Sequence, residues 1–390
     1  MSRLEQLIAE LCPGGVEYVK LGEVTEILRG KRLTKSQLSN IEQYPVFHGG
    51  LEPLGYYTHH NRKADTVMVI NVGASAGTVG YSSVDFWSSD GCFCVGHSDL
   101  FLSRYIYYAL LCQETFLRSR VRFAGIPTLD GAVVERTKIP LPPLPVQQEI
   151  VRILDNFTEL TAELTAELTA ELTARRKQYE YYRDLLLTFG DEVEWKTLGE
   201  IGKLIRGSGL LKSDFVEEGF PCIHYGQIHT YYGTSATETI SFVSVDKSKK
   251  LKKAKKGDVL IAGVSENVED VCKPLAWLGG DICISGDMFA FRHNQNTKYI
   301  TYLLQTTDFS RYKEKFAHGA KVTRLRQDKL LAYKIPVPPL EEQERIVAIL
   351  DRFDALCNDL TSGIPAEIEA RQKQYEYYRD KLLSFKEVTA

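Results

Sequence analysis

Two stretches decide the architecture: IPLPPLPVQQEIVRILDNF at Ile139–Phe157 and IPVPPLEEQERIVAILDRF at Ile335–Phe353. Each opens with a proline step, Pro142-Pro143 or Pro338-Pro339. Proline excludes helix at the residue before it and so fixes where a helix can begin. Pro145 suits the first turn of such a helix. Beyond the step, apolar residues recur at spacings of three and four. They are Ile150, Leu154, Phe157, Leu160, Leu164, Leu168 and Leu172 in the first copy, and Ile346, Leu350, Phe353, Leu356 and Leu360 in the second. This is a helical apolar stripe. Both helical segments carry the same octapeptide, KQYEYYRD, at Lys177–Asp184 and Lys373–Asp380.

These matches are offset by 196 residues, and further matches lie upstream. Val16-Glu17-Tyr18 and Leu21-Gly22-Glu23-Val24 recur as Val193-Glu194-Trp195 and Leu198-Gly199-Glu200-Ile201. Arg29-Gly30 recurs as Arg206-Gly207, and Lys35-Ser36 as Lys212-Ser213, all offset by 177. The interiors, roughly 50–125 and 226–320, share little. A repeated frame around divergent interiors predicts two different objects recognised in one geometry. The expected division is an N-terminal helix (1–12), a globular region (13–143), a central helix (144–190), a second globular region (191–339) and C-terminal helices (340–390). Arg3–Leu11 lies where the first long helix would end, just before its own Val-Glu-aromatic motif. That predicts a nearly circular layout in which N- and C-terminal helices meet.

Thr161–Leu172 is TAEL written three times. A period of four advances about 400° per unit, so the leucine stripe drifts about 40° per unit around the helix. A drifting stripe calls for a partner helix that wraps it, and the second helical segment is the expected partner. Gly363 and Pro365 predict a kink or break there. The first helix, at roughly 1.5 Å per residue over its length, would be a rod of roughly 65 Å, between globular regions of about 36 Å each.

The 390 residues predict more than one domain. With 44% hydrophobic and 25% charged residues the chain reads as an ordinary soluble protein. No apolar run is long enough for a membrane span, and the N-terminus lacks the pattern of a secretory signal, so a cytoplasmic location is expected. The 8 cysteines fit no common zinc spacing and are expected as reduced, buried thiols. No GxxxxGK[ST], HExxH, GxSxG or Asn/Asp-Pro-Pro-aromatic motif is present, so no catalysis is expected of this chain. The formal net charge of −3 argues mildly against nucleic acid, but binding depends on local patches rather than on the total.

Such patches exist. Lys31, Arg32 and Lys35 follow a strand-like run, and Lys212 and Ser213 repeat the Lys35 position. Arg118, Arg120 and Arg122 alternate ahead of a loop with Pro127 and Thr128. Seven lysines lie between Lys247 and Lys256, a run that also suits a solvated edge. Lys321, Thr323, Arg324 and Arg326 follow Gly319. Basic residues in glycine-rich loops suit phosphate positioning and base-edge readout. Both globular regions read as mixed α/β, with strands at Thr66–Val72 and Asp258–Ala262 and helices at Tyr105–Cys112 and Tyr299–Gln305.

Together the duplicated IP[LV]PPLxxQxxIVxILDxF, the repeated KQYEYYRD, the TAEL array and the Leu-Gly-Glu motif resemble type I restriction–modification specificity subunits, in the subgroup that uses TAEL as a spacer. Gly73-Ala74-Ser75-Ala76-Gly77-Thr78-Val79-Gly80-Tyr81 resembles a glycine-rich strand–loop of their recognition domains, which nominates Ser75; Gly263–Asn267 departs from that pattern. The resemblance implies two α/β target-recognition domains separated by long antiparallel coiled-coil helices, a pseudo-twofold tandem repeat. Each domain would read half of a bipartite site in double-stranded DNA. Two modification (methyltransferase) subunits would dock on the helices, with Tyr179, Tyr182, Arg183, Tyr375, Tyr378 and Arg379 as candidate contacts, either to those subunits or between the chain's own helices. Restriction (translocase/endonuclease) subunits would join. No cofactor is expected in this chain; S-adenosylmethionine, ATP and Mg would belong to the partners. The alternative is a coiled-coil scaffold carrying two ligand-binding modules without DNA.

Overall fold

A helix begins directly after each proline step. The computed structural model describes residues 2–319, 322–358 and 363–388. One continuous helix spans Leu144–Leu186, a second Leu340–Asn358 and a third Ile364–Leu382. The second helical segment is therefore broken rather than kinked, with Gly363 and Pro365 at the restart; Leu360 of the expected stripe lies outside the described residues. None of the described helices is long and apolar enough to cross a membrane. The chain divides into two compact units, Met1–Thr165 with Ala370–Ala390 and Ala166–Glu369. The long helix gives its first half to one unit and its second half to the other.

In the first unit a four-stranded antiparallel sheet runs in the order Ile27–Arg29, Cys92–Val95, Thr66–Ile70, Val79–Ser82. The central strand, TVMVI, is buried along its whole length, as its β-branched content suits. Helix Ser103–Cys112 turns Tyr105, Ile106, Tyr108, Ala109 and Leu110 onto the core. In the second unit the corresponding strands are Gly202–Arg206, Met288–His293, Val259–Ala262 and Pro274–Trp277, extended by a fifth, Ser235–Ala236. Helix Thr297–Leu303 takes the place of Ser103–Cys112. A second five-stranded sheet is built largely from the divergent interior. Pairing registers place the extra length of the second unit. The offset between equivalent residues is 177 at Arg29/Arg206, 192 at Val69/Ile261 and 196 at Phe93/Phe289. Most of the added chain thus lies between the first and the central strand.

The duplicated motif explains itself at the joint between sheet and helix. Strand Tyr18–Lys20 pairs with Lys138–Pro140, and Trp195–Thr197 with Lys334–Pro336. In both units a tyrosine from an earlier helix ties down this strand: Tyr105 Oη donates to the Pro140 carbonyl at 3.0 Å and Tyr299 Oη to that of Pro336 at 3.1 Å. Then comes the glutamine. Gln147 is fully buried; its Oε1 accepts from Leu102 N at 2.9 Å, and its Nε2 donates to the carbonyls of Pro142 (2.8 Å) and Leu100 (3.1 Å). Gln343, equally buried, accepts from Asn296 N at 3.0 Å and donates to Pro338 O and Gln295 Oε1, each at 2.8 Å. About two turns along, Asp155 accepts from Tyr108 (2.6 Å) and Arg104 (2.8 Å), and Asp351 from Tyr302 (2.6 Å) and Lys298 (2.8 Å).

Further along, each unit pairs two helical stretches in antiparallel fashion. In the first, Phe157 stacks on Tyr378 (centroids 6.1 Å apart) and Thr158 Oγ1 lies 2.9 Å from Tyr375 Oη. In the second, Tyr182 stacks on Phe353 (5.7 Å) while Tyr179 feels Asp354 and Cys357 feels Arg176. The two termini of the chain meet in the first unit. Val16 N donates to Lys386 O at 2.8 Å, Val388 N to Val16 O at 3.1 Å, and Tyr18 Oη to Phe385 O at 3.2 Å.

Replacing Gln343 by leucine keeps volume but strands a buried N–H and a buried proline carbonyl. Loss of such partners costs about 1–3 kcal/mol per group, so Gln343→Leu is expected to lower the urea midpoint of the transition that unfolds the second unit. An unchanged midpoint would show that the amide does not hold the joint.

Candidate nucleic-acid interface

Each unit extends its central strand into a loop, and each loop receives a hairpin that arrives just before the frame helix. In the first unit, Arg122 and Thr128 exchange backbone bonds (2.9 and 3.0 Å), closing a hairpin turned at Gly125, whose φ is +89°. Thr128 bridges to Val72, and the Pro127 carbonyl accepts from Gly73 N at 2.9 Å. In the second unit His318 and Arg324 exchange the same pair of bonds (3.1 and 3.0 Å), and Thr323–Arg324 pairs with Val264–Ser265. Thr128 and Arg324 thus occupy equivalent places. So do Val72 and Val264, which sets Ser265, not Gly263, at the position of Gly73.

The candidate basic residues fall into three groups. Lys31 and Arg32 are exposed directly after strand Ile27–Arg29, with the Lys31 carbonyl accepting from Trp87 Nε1 at 2.7 Å. Lys35 and Lys212 each open a short 3₁₀ turn, exposed, with Ser213 beside Lys212. Asp214 closes the second turn. Its carboxyl is held below the usual range by the Leu211 N–H bond and then by Lys247, whose Nζ lies 3.1 Å away. Arg324 forms the third group. It lines a cavity of about 220 Å³ with Arg206, Arg326 and His318. There the Arg206 guanidinium donates to Gly286 O at 3.1 Å and that of Arg326 to Asp328 at 3.1 Å, leaving Arg324 exposed. Lys321 lies outside the described residues.

Several nominated residues are buried or already engaged within the fold. Thr323 is only 6% exposed, because its neighbours Val322 and Arg324 take the outer face of the strand and alternation turns Thr323 inward. Arg118 donates to Glu114 (3.0 Å) and Thr78 (2.8 Å) and so braces the glycine loop. That loop approaches closely at Gly77, where φ is +89° and a Cβ would sit 2.9 Å from the Arg118 backbone. Ser75 is half-buried in the same loop, its carbonyl accepting from Thr78 N. Arg120 and Arg122 remain exposed, the latter 3.3 Å from Asp130. In the lysine run, Lys253 belongs to an edge strand, 4.1 Å above the Phe220 ring, and Lys249 pairs with Asp246.

The aromatic octapeptides also divide. Tyr179 and Arg183 are buried, the guanidinium lying over the Tyr179 ring and pairing with Asp184; burial pushes the Tyr179 hydroxyl pKa up. Arg379 is mostly covered, beside Asp380 and Cys112, whose thiol burial pushes up to about 12. Tyr182, Tyr375 and Tyr378 pack between helices of their own unit. The most exposed members are Tyr181 at 64% and Tyr377 at 61%, against 36% for Tyr182 and 42% for Tyr378; the spacing of three singles out neither Tyr181 nor Tyr377. Sequence reasoning also passed over Arg206, although it recurs in the frame, and the apolar hairpin residues Phe123 and Ile126. Among the described residues no group of three or more His, Cys, Asp or Glu could hold a metal ion.

Comparison with known proteins agrees with this duplicated layout. The family model described as type I restriction modification DNA specificity domain matches twice, at residues 13–174 and 190–370. A putative type I restriction enzyme specificity subunit of Haemophilus influenzae is 32% identical over 95% of this chain and 96% of its own length. The EcoR124I/EcoR124II specificity subunit of Escherichia coli is 40% identical over 64% of this chain and 63% of its own. A chain from a solved structure concerning assembly and conformational transition of the type I restriction–modification system shares the fold, with a TM-score of 0.66 at 20% identity over 96% of this chain and 98% of that one. The chain belongs to the family of type I restriction–modification DNA specificity proteins.

Proposed function

We propose that this chain is the non-catalytic DNA-reading subunit of a type I restriction–modification complex, each unit reading one half of a bipartite site. The observation that carries the reading is the repeated joint. Tyrosine, glutamine and aspartate make the same bonds in both units, while the chain between first and central strands differs in length and sequence. Shared bonds preserve one presentation, and different interiors read different sequences. The modification subunits dock on the helices, where exposed Tyr181 and Tyr377 offer amphipathic surface. S-adenosylmethionine, ATP and Mg are held by the partner subunits, which carry adenine methylation and ATP-driven cleavage, and the assembly works in the cytoplasm.

Exchanging residues 13–143 for those of a relative with another specificity tests modular reading. Methylation mapping of the assembled complex should show one half-site changed and the other retained. A change in both, or in neither, would contradict it.

Arg324→Ala should weaken binding to the specific site by about 1–3 kcal/mol while sparing non-specific duplex, as for a base-edge contact. Titrations at several salt concentrations check this. A loss uniform over all sequences, with a shallower salt slope, would mark a phosphate contact instead.

Deleting one TAEL unit, Thr165–Leu168, removes about 6 Å of helix and about 40° of rotation. One base pair of B-DNA contributes about 3.4 Å of rise and about 34° of twist, given a full turn in roughly 10.5 pairs. The deletion should keep both half-sites and shorten the undefined spacer by one pair. An unchanged spacer in the methylation map would mean that the array is not the ruler.

A further inference from the structure

Phe123 and Ile126, at the tip of the first unit's hairpin, are 75% and 70% exposed. Leaving a large apolar side chain in water forgoes the gain of burying it, and here two such residues share a single turn. The turn itself is held firmly. The Arg122–Thr128 bond pair closes it, Gly125 turns it, and Pro127 ties it to Gly73 in the glycine loop. Two cationic residues lead into the apolar tip. Arg122 is exposed at the hairpin's base, and the Arg120 guanidinium sits 5.0 Å over the Phe116 ring with its outer side free to solvent. A firm apolar tip with arginines beside it matches the chemistry of a duplex: phosphates for the guanidinium groups and a base stack for the apolar pair.

The described residues of the second unit's hairpin are less apolar. Its hairpin, anchored by the equivalent bonds between His318 and Arg324, has Gly319 where the first has Phe123 and the smaller Val322 where the first has Ile126. We propose that Phe123 and Ile126 wedge into one base step of the half-site read by the first unit, unstacking it and kinking the DNA there. This proposal rests on the DNA-reading function above and adds a deformation specific to one half-site. Specificity at that step would then reflect how easily it unstacks as well as direct contacts, favouring a flexible pyrimidine–purine step.

The test uses the chain assembled with its modification subunits on a duplex carrying its own site, with 2-aminopurine placed in turn at each position of the first unit's half-site. Wild type should show one bright step there, in addition to the signal at bases that the methyltransferase flips. The double variant Phe123→Ala/Ile126→Ala should lose that step's signal, keep the flipped-base signal and bind the specific site roughly tenfold more weakly. Phe123→Leu, which keeps an apolar tip, should retain the bright step. Specific binding with no bright step, or with a bright step that survives the double variant, would overturn the wedge while leaving DNA reading intact. A double variant that folds but no longer assembles with the modification subunits would assign the tip to a protein contact and overturn the wedge. Absence of specific duplex binding by the wild-type complex would overturn the DNA reading itself.

Discussion

A buried amide holds each globular region to its helix, and most of the architecture depends on it. Gln147 and Gln343 each satisfy three backbone or side-chain partners at full burial. Among those partners are the carbonyls of Pro142 and Pro338, in the proline step that starts the helix. A buried carbonyl left without a donor is expensive, so the helix can leave the sheet in only one way. Asp155 and Asp351 then fix the rotation of the helix, each gripped by a tyrosine and a cation from the helix behind it. The joint is rigid because its polar groups are fully matched. That rigidity allows loops more than one strand away to differ between units without changing how they are presented.

Much of this was legible in the sequence, for physical reasons. The helices announced themselves through prolines and a 3.6-residue period, and both signals are local. The broken partner helix followed from Gly363 and Pro365 in the same way. The meeting of the termini was readable because Val16-Glu17-Tyr18 repeats a motif that follows a helix in the second copy; Val16 pairs with Glu387 as that copy implies. Strand order was not legible, because Ile27–Arg29 finds Cys92–Val95 across more than sixty residues, and nothing local encodes that pairing.

The candidate site was read less completely. Charge type and loop context single out Arg324 and Thr128, and the bridges to Val264 and Val72 place the two at equivalent positions. They could not tell that Arg118 is occupied by Glu114 and Thr78, or that strand parity turns Thr323 inward. Tyr179 is buried and Tyr182 packs on Phe353 while keeping part of its ring in solvent, so both make contacts between the chain's own helices. Their neighbours Tyr181 and Tyr377 are more exposed. Phe123 and Ile126 escaped notice because an apolar residue in a sequence reads as core until its exposure is known.

The net charge of −3 also proves a poor guide. Acidic residues such as Asp155, Asp351 and Asp258 serve internal bonds, whereas Lys31, Arg32, Lys212 and Arg324 point outward on loops. The most direct test of two separate readers on one frame is selection of bound duplexes from a random pool by the assembled complex, followed by sequencing. Two short enriched blocks are expected, unlike each other and separated by a spacer of constant length and no preferred sequence. A single continuous block, or no enrichment at all, would contradict it.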